Sequence, residues 1–210
     1  MPKPHVFTSR GSLIERLRSP ELADLAHRFF AVRSPSIKDV VKTSVGGNTF
    51  RAFRHVPTPS MAFRTWTAAR LQQTLHDILA CETVGSYALQ VHAAARELEA
   101  FWRRHADKEM GYGRGSKLLN LVFKKLACLE GLTDEQRTRL ISHIHVPWDS
   151  YTIQGLRLIA PALGIPRNAT MKFIITPEQY RVFVAMIANI AAEAEVPAIY
   201  YDILAWDMAH

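Results

Sequence analysis

Two long stretches in the middle of the chain carry apolar residues at intervals of three and four. The stretches are 61–81, with Phe63, Trp66, Leu71, Leu75 and Ile78 inward, and 83–105, with Tyr87, Val91, Ala94, Leu98 and Phe101 inward. This spacing matches the 3.6-residue period of an α-helix and not the two-residue period of a strand. The sequence therefore predicts two long amphipathic helices that supply much of the core.

Polar caps and prolines mark shorter helices on both sides of this pair. Helix starts are predicted at Ser12, Ser19-Pro20, Thr133, Pro177 and Pro197. Residues 1–10 are predicted to be a flexible lead, and 34–60 a loop. Within that loop, 49–54 is either a short strand or a loop that contacts a nucleic-acid backbone, because its residues alternate and include two arginines. With so many helices and almost no strand, the chain is predicted to be all-α.

Basic residues are concentrated at the N-terminal end. The 210-residue chain has a formal net charge of +7. Residues 1–70 contain twelve Lys or Arg and four Asp or Glu, whereas the remaining 140 residues carry a net charge of −1. Such a surface suits a phosphate backbone or an anionic membrane, although many soluble proteins are simply basic. Nucleic acid is therefore one candidate partner, and charge alone does not select it.

Cysteine content and hydropathy exclude several classes of protein. The two cysteines, Cys81 and Cys128, fall within apolar helical runs and are predicted to be buried thiols in a reducing compartment. A cysteine-ligated iron–sulfur cluster needs four cysteines, so that group is excluded. The sequence has no apolar span of 18 residues and no signal-peptide core. We therefore expect a cytoplasmic protein with no membrane partner.

A glycine-rich segment and a later proline–aspartate segment carry the candidate chemistry. The first reads Gly-Tyr-Gly-Arg-Gly-Ser-Lys from Gly111 to Lys117 and leads into an apolar helical run, which predicts Lys117 in the first turn of a helix. A helix N-terminus disfavours an ammonium group and so favours the neutral amine that a nucleophile requires. The second segment contains Pro147, and Asp149 or Ser150 is predicted to cap the helix that follows. The ordinary interpretations remain open: an exposed helix lysine and a purely capping aspartate.

This combination resembles the helix-hairpin-helix DNA glycosylase superfamily, whose bifunctional members join a G-x-G-x-x-K turn to a later P-x-D segment. The matching residues are Gly111, Gly113, Lys117, Pro147 and Asp149. The interval of 32 residues from lysine to aspartate is most like the archaeal 8-oxoguanine DNA glycosylase branch. The turn differs from the family pattern in holding an extra glycine, and no hydrophobic–proline pair precedes it.

The resemblance implies a helix-hairpin-helix glycosylase-like fold of two interlocked helical lobes within one domain, 1–210. Its parts would be a basic N-terminal part at about 1–70, a catalytic core at about 105–165 and C-terminal helices at 177–207. The implied partner is double-stranded DNA with a damaged or modified base, bound by a monomer. No metal and no organic cofactor is required.

The activity that the resemblance implies is base excision with associated abasic-site lyase activity. Lys117 would attack C1′ and form a Schiff base, while Asp149 assists its deprotonation and stabilises positive charge on the sugar. DNA binding would involve Gly111, Tyr112, Gly113, Arg114, Gly115 and Ser116, with the amides of Gly113 and Gly115 holding a phosphate. The extruded base would lie in a pocket formed by Trp148, Trp206, Trp66 and Phe123. The preferred base is 8-oxoguanine, and a modified base in phage DNA is the alternative.

Two other functions fit the same sequence. One is a non-catalytic nucleic-acid-binding helical protein, in a phage or defence context, whose Lys117 only contacts phosphate. The other is a helical interaction protein whose basic charge is incidental. The first predicts DNA binding that weakens with salt but no covalent chemistry, and the second predicts no salt-dependent DNA binding.

Overall fold

The computed structural model describes residues 5–53 and 56–206. Its ten α-helices are α1 Arg10–Leu17, α2 Pro20–Ala31, α3 Ile37–Ser44, α4 Pro59–Leu79, α5 Val84–Ala106, α6 Tyr112–Leu126, α7 Asp134–His143, α8 Ser150–Ile159, α9 Pro177–Glu193 and α10 Tyr200–Trp206. Short 3-10 segments cover Gly47–Phe53, Pro161–Leu163 and Met171–Phe173. Over these described ranges the extended pairing is limited to an isolated bridge between Ser34 and Leu129. The all-α prediction is confirmed.

Most of the predicted helix starts are found at or next to their expected positions. The Ser19 hydroxyl accepts the Leu22 amide and Pro20 is the first residue of α2, while Thr133 and Gln136 form a reciprocal capping box on α7. The prediction for α1 is wrong by three residues, because Ser9 is the cap and Ser12 completes its capping box from inside the helix. The flexible lead is also wrong for residues 5–9, since Phe7 is buried. Residues 1–4 lie outside the described ranges.

The predicted loop at 34–60 is largely helical, which corrects the sequence interpretation. Ser36 accepts the Asp39 amide and begins α3, a short capping signal within an otherwise polar stretch. The following 47–53 segment is a 3-10 helix, so the strand interpretation is wrong. Its buried residues, Phe50 and Phe53, are three apart, and that spacing places both on one face of a 3-10 helix. Arg54, the end of the predicted strand, lies outside the described residues.

The buried side chains form one principal cluster that extends from Phe7 to Leu204, with α6 at its centre. Eleven of the fifteen residues of α6 are buried, and the helix packs against α3, α5 and the 171–173 segment. The two cysteines, Cys81 and Cys128, are buried free thiols, as predicted. Among the described helices, none has the length and apolar character needed to cross a membrane. The central helix α6 buries three polar residues, Ser116, Asn120 and Lys124, and it also carries the partly buried Lys117 of the candidate site.

Candidate active site

The glycine-rich segment is the first part of α6 and not a turn that precedes it. Gly111 is the N-cap, with a φ of 81° that favours glycine, and the helix begins at Tyr112. Lys117 is consequently the sixth residue of the helix and lies in its second turn. The field of a helix terminus falls off within the first turn. The prediction that this field acts on the Lys117 amine is therefore wrong.

Gly113 is needed because backbone from another segment lies against it. A Cβ at this position would lie 1.9 Å from the Met171 carbonyl oxygen and 2.7 Å from that of Ile174. The Gly113 amide donates to the Ile174 oxygen at 3.0 Å, and the Gly115 amide donates to the Gly111 oxygen at 3.1 Å. Both amides are thus engaged within the protein. The prediction that they hold a phosphate is wrong.

The other residues of the predicted DNA-binding segment divide between core and surface. Tyr112 and Ser116 are buried, and the Tyr112 hydroxyl hydrogen-bonds to the His92 ring. Gly111 and Arg114 are partly exposed and line a cleft that also contains Lys172. Contact with DNA therefore stays a prediction for Gly111 and Arg114, whereas Tyr112 and Ser116 are buried in this structure.

Asp149 is the N-cap of α8, which settles the choice between it and Ser150. Its Oδ1 accepts the amides of Tyr151 at 2.9 Å and Thr152 at 3.0 Å. The Thr152 hydroxyl accepts the Asp149 amide at 2.9 Å, which completes a capping box. This arrangement fixes the carboxylate against the helix terminus, where negative charge is stabilised. The second carboxylate oxygen, Oδ2, is turned towards α6.

The structure brings Lys117 and Asp149 together. The Lys117 Nζ lies 3.5 Å from Asp149 Oδ2, and the two side chains are 14% and 8% exposed. The lysine comes from the middle of the chain's central helix and the aspartate from the start of α8, so helix packing sets their separation. An amine next to a carboxylate, at the edge of solvent, has the elements of a nucleophile and its proton acceptor.

A second lysine–aspartate pair was not predicted from the sequence. Lys124 Nζ donates to Asp202 Oδ2 at 2.8 Å, with side chains only 8% and 4% exposed. The same ammonium lies 4.2 Å from the centre of the Phe29 ring, a distance typical of a cation–π contact. Lys117 and Lys124 are seven residues apart, nearly two helical turns, so they share one face of α6. That spacing is the sequence signal that could have indicated Lys124. No feature of the sequence indicated Asp202.

Both pairs line a single cavity of about 260 Å³. Its wall consists of Ser44, Gly46, Thr49, Lys117, Leu121, Lys124, Pro147, Asp149, Asp202 and Trp206. The four charged side chains are two ammonium groups and two carboxylates, so their formal charges cancel. The cavity is therefore polar on its α6 side without a net charge of its own. Ser44, Gly46 and Thr49, from α3 and the segment after it, contribute uncharged residues to the wall.

Only Trp206 among the four predicted base-pocket aromatics lines this cavity. It is 38% exposed and its ring lies 5.8 Å from that of Tyr151. Trp148 is fully buried between Phe183 and Tyr201, because it lies on the inner side of the segment that leads to α8. The pocket assignment is accordingly wrong for Trp148.

The assignment is also wrong for Trp66 and Phe123, which pack elsewhere in the helical core. Trp66 stacks on Phe101 of α5, with ring centres 5.9 Å apart. Phe123 is buried and meets Tyr87 edge to face. Both residues fulfil the packing role that the apolar period of their helices favours.

A buried hydrogen-bond network lies behind the cavity and holds the segment that leads to Asp149. The Asn120 amide nitrogen donates to the Tyr180 hydroxyl at 2.7 Å and to the Val146 carbonyl at 3.5 Å. The Tyr180 hydroxyl also lies 2.9 Å from His145 Nδ1. Burial lowers the pKa of His145 to about 3 and raises that of Tyr180, so both are neutral at pH 7. Uncharged hydrogen bonds thus anchor the chain between α7 and α8.

Comparison of the chain with family models, curated proteins and solved structures finds no match. The glycosylase resemblance therefore depends on the residues of the two short segments and on the geometry of the cavity.

Proposed function

We propose that this protein is a DNA base-excision glycosylase with associated abasic-site lyase activity. The observation that carries the proposal is the Lys117–Asp149 pair, with Nζ and Oδ2 3.5 Å apart, in a cavity that also exposes the Trp206 ring. Lysine and aspartate are the residues that the resemblance assigns to catalysis. They are distant in sequence and meet in the structure.

The proposal includes a helix-hairpin-helix glycosylase-like fold with two interlocked lobes. Its support is the all-α architecture and the hairpin of α5 and α6, two packed helices joined by residues 107–111. Asp107 and Gly111 bound this connection with positive φ angles of 50° and 81°. We also place the protein in the cytoplasm and expect it to act on duplex DNA as a monomer.

The size of the cavity supports an extruded nucleotide as its occupant. Its volume of about 260 Å³ is slightly below the ~300–1,000 Å³ of most small-molecule sites. This space accommodates one base-sized ring system. A nucleotide would therefore leave the duplex to enter, as in other enzymes that act on bases. Trp206 offers a partly exposed aromatic face on which such a base stacks.

The proposed reaction begins with a proton transfer from Lys117 to Asp149 Oδ2. The neutral amine bonds to C1′ while the bond from C1′ to the base breaks, and the base departs with that electron pair and takes up a proton. Opening of the sugar ring converts the adduct to a Schiff base. Loss of a C2′ proton then expels the 3′ phosphate and cleaves the strand. The proton that the base takes up comes from Asp149, which returns to a carboxylate and is held close to the reacting carbon by two amides.

The test is cleavage of a duplex with a single 8-oxoguanine under single-turnover conditions, resolved with and without hot alkali. We expect strand cleavage in both lanes for the wild type and in neither for Lys117→Gln. Lys125→Gln is the matched control, because Lys125 lies on the same helix and outside the cavity lining. It should cleave at the wild-type rate. Intact strands in every lane, across a panel of oxidised, alkylated and deaminated bases, would contradict the proposal.

A non-catalytic DNA-binding protein is the competing function, and the same variant separates the two. An enzyme with Lys117→Gln would retain DNA affinity and lose all chemistry. A pure binder would have no chemistry to lose, and the substitution would remove at most one phosphate contact, or about one unit of salt slope.

A further inference from the structure

A second concavity, of about 370 Å³, lies between α3 and α4. We call it the α3–α4 groove, and the residues that define it here are Lys38, Lys42 and Arg64 on its charged side and Val41 and Ala68 on its apolar side. Its charged lining residues are all cations, and no carboxylate lines it. A groove lined by one sign of charge concentrates counter-ions of the opposite sign.

Two other cations of the basic N-terminal third pair with carboxylates, whereas the cations of the groove do not. Arg10 pairs with Glu193 at 2.5 Å, and Arg70 pairs with Glu97 at 2.7 Å. Across the described ranges, no carboxylate lies within 4.0 Å of a nitrogen of Lys38, Lys42 or Arg64. Three of the unneutralised cations of this third of the chain therefore lie together in one concavity.

Arg64 is fixed in place while retaining hydrogen-bonding capacity. One terminal nitrogen donates to the Val45 carbonyl at 3.0 Å, and its guanidinium lies 6.0 Å from the centre of the Phe50 ring. Its Nε is buried and has no acceptor among the described residues. Lys38 and Lys42, by contrast, are exposed. The groove thus combines one anchored guanidinium with two exposed ammonium groups.

The position of the groove indicates what occupies it. Helix α3 borders both concavities: Lys38 and Lys42 line the groove, and Ser44 and Gly46, a few residues later, line the cavity of Lys117 and Asp149. The groove thus lies beside the cavity, in the path of a strand that has one nucleotide in the cavity and continues past α3. The next phosphates of that strand then come within reach of the groove cations.

We infer that the α3–α4 groove binds the phosphodiester backbone of the DNA strand next to the nucleotide that enters the cavity. This inference rests on the proposed function. Lys38, Lys42 and Arg64 contact phosphate oxygens, and Val41 and Ala68 lie against the sugars. Such contacts position the strand and carry no sequence information. The inference assigns phosphate binding to the basic N-terminal third, because the Gly113 and Gly115 amides are engaged within the protein.

The test compares Lys38→Gln/Lys42→Gln with Arg16→Gln/Arg104→Gln, which removes the same charge from exposed positions elsewhere. Duplex affinity is measured from 50 mM to 300 mM salt with an abasic-site analogue. For the groove variant we expect the salt slope to fall by about 1.8, or ~0.9 per phosphate, and the affinity at 0.1 M salt to fall at least about tenfold. The control variant should lose less than half of that slope.

A cross-linking measurement locates the strand directly. Cys81 and Cys128 are 6% and 0% exposed, so Lys42→Cys introduces an accessible thiol beside two buried ones. We expect thiol–disulfide exchange with a mixed disulfide tethered to a phosphate next to the abasic analogue, which releases the small thiol, and none with the same tether ten base pairs away. Equal cross-linking at both positions would overturn the inference.

The outcomes distinguish failure of the groove from failure of the proposed function. If the wild type cleaves DNA and the groove variant has the slope and affinity of the control variant, the groove assignment is overturned and the glycosylase proposal stands. If the wild type cleaves no substrate while the groove variant still loses duplex affinity, the glycosylase proposal falls and the groove remains a DNA contact. Loss of affinity for single-stranded RNA or an acidic peptide, without loss for duplex DNA, also overturns the assignment.

Discussion

The two lysine–aspartate pairs on α6 have the same composition and different surroundings. Lys124 and Asp202 are 2.8 Å apart, and the Phe29 ring lies 4.2 Å from the ammonium. Lys117 and Asp149 are 3.5 Å apart, and the lysine side chain is 14% exposed against 8% for Lys124. Asp149 already has its Oδ1 engaged by two backbone amides. The Lys124 amine is held tightly, whereas the Lys117 amine is held loosely at the edge of solvent.

Under the proposed function, this difference separates a structural ion pair from a reactive one. A buried pair with short contacts restrains both partners, and loss of one leaves the other charged in a poor solvent. A looser pair at a cavity leaves the amine able to move to a substrate carbon. We therefore assign stability to Lys124–Asp202 and chemistry to Lys117–Asp149, two turns apart on one helix.

The largest expected effect is on stability and involves Lys124→Met. The substitution leaves Asp202 buried without its cation, so we expect a loss of about 3–5 kcal/mol in the free energy of unfolding. Lys117→Met should lose at least about 2 kcal/mol less than that, because Asp149 keeps its amide hydrogen bonds. Urea denaturation measures both. Equal losses for the two variants would contradict the distinction between the pairs. If Lys124→Met does not fold, the double variant Lys124→Met/Asp202→Leu is measured instead, and it should be more stable than the single variant.

The next effect is on the reaction rate, with Asp149→Asn. Asparagine caps a helix about as well as aspartate, so the fold should lose no more than about 0.5 kcal/mol. Removal of the charge beside C1′ should lower the single-turnover cleavage rate by about 10²–10³. Asp202→Asn should do the reverse, lowering the urea midpoint while the rate at saturating DNA changes little. If Asp149→Asn cleaves at the wild-type rate, this carboxylate has no part in the chemistry.

Acid should destabilise the hydrogen-bond network of Asn120, Tyr180 and His145, which holds the segment that leads to Asp149. The pKa of His145 is lowered to about 3 in the folded protein by burial, against 6.5 for the ordinary side chain. Below pH 6.5 the unfolded chain binds the proton and the folded chain does not, so stability falls as pH falls towards 3. Between pH 7 and pH 5 this one residue contributes a loss of about 2 kcal/mol. His145→Gln should show a smaller difference between the two pH values in urea denaturation, and an unchanged difference would contradict this account.

The smallest effect concerns Trp206. Its side chain is 38% exposed, so Trp206→Ala should cost little stability. Loss of the stacking surface should reduce the preference for an abasic or base-damaged duplex over an intact one by about 1 kcal/mol, or roughly fivefold. Trp66→Ala is the comparison, because Trp66 packs against Phe101 away from the cavity. Competition binding measures the preference, and an equal loss in both variants would remove Trp206 from the site.

The sequence predicted helices well where apolar residues repeat over many turns. The two helices α4 and α5 begin and end within two residues of the predicted stretches, and the Ser19 and Thr133 caps are confirmed. Short elements were harder to predict. Helix α3 has a single capping signal, Ser36, and the glycines and prolines around it favour a loop. For the 47–53 segment, alternation of residues suggested a strand, while burial of Phe50 and Phe53 selected a 3-10 helix.

The sequence predicted those site residues whose role depends on their neighbours in the chain. It did not predict those whose position depends on the packing of the helices. Asp149 lies two residues after Pro147 and precedes an apolar run, so neighbouring residues alone limited the helix cap to Asp149 or Ser150. The start of α6 could not be inferred in this way, since glycines usually interrupt helices and only the approach of the Met171 carbonyl explains Gly113 within one. Trp148 was assigned to the pocket from its position next to Asp149. Adjacent residues on an extended segment point to opposite sides, and Trp148 faces the core.

The most direct measurement is borohydride trapping of the protein on duplex DNA with either 8-oxoguanine or an abasic site. Borohydride reduces a Schiff base to a stable covalent bond, so the adduct reports attack by an amine on C1′. We expect a covalent complex with the wild type and with Lys125→Gln, and none with Lys117→Gln, while all three proteins bind the duplex. No complex with the wild type on either substrate, or a complex that persists in Lys117→Gln, would contradict the assignment of chemistry to Lys117.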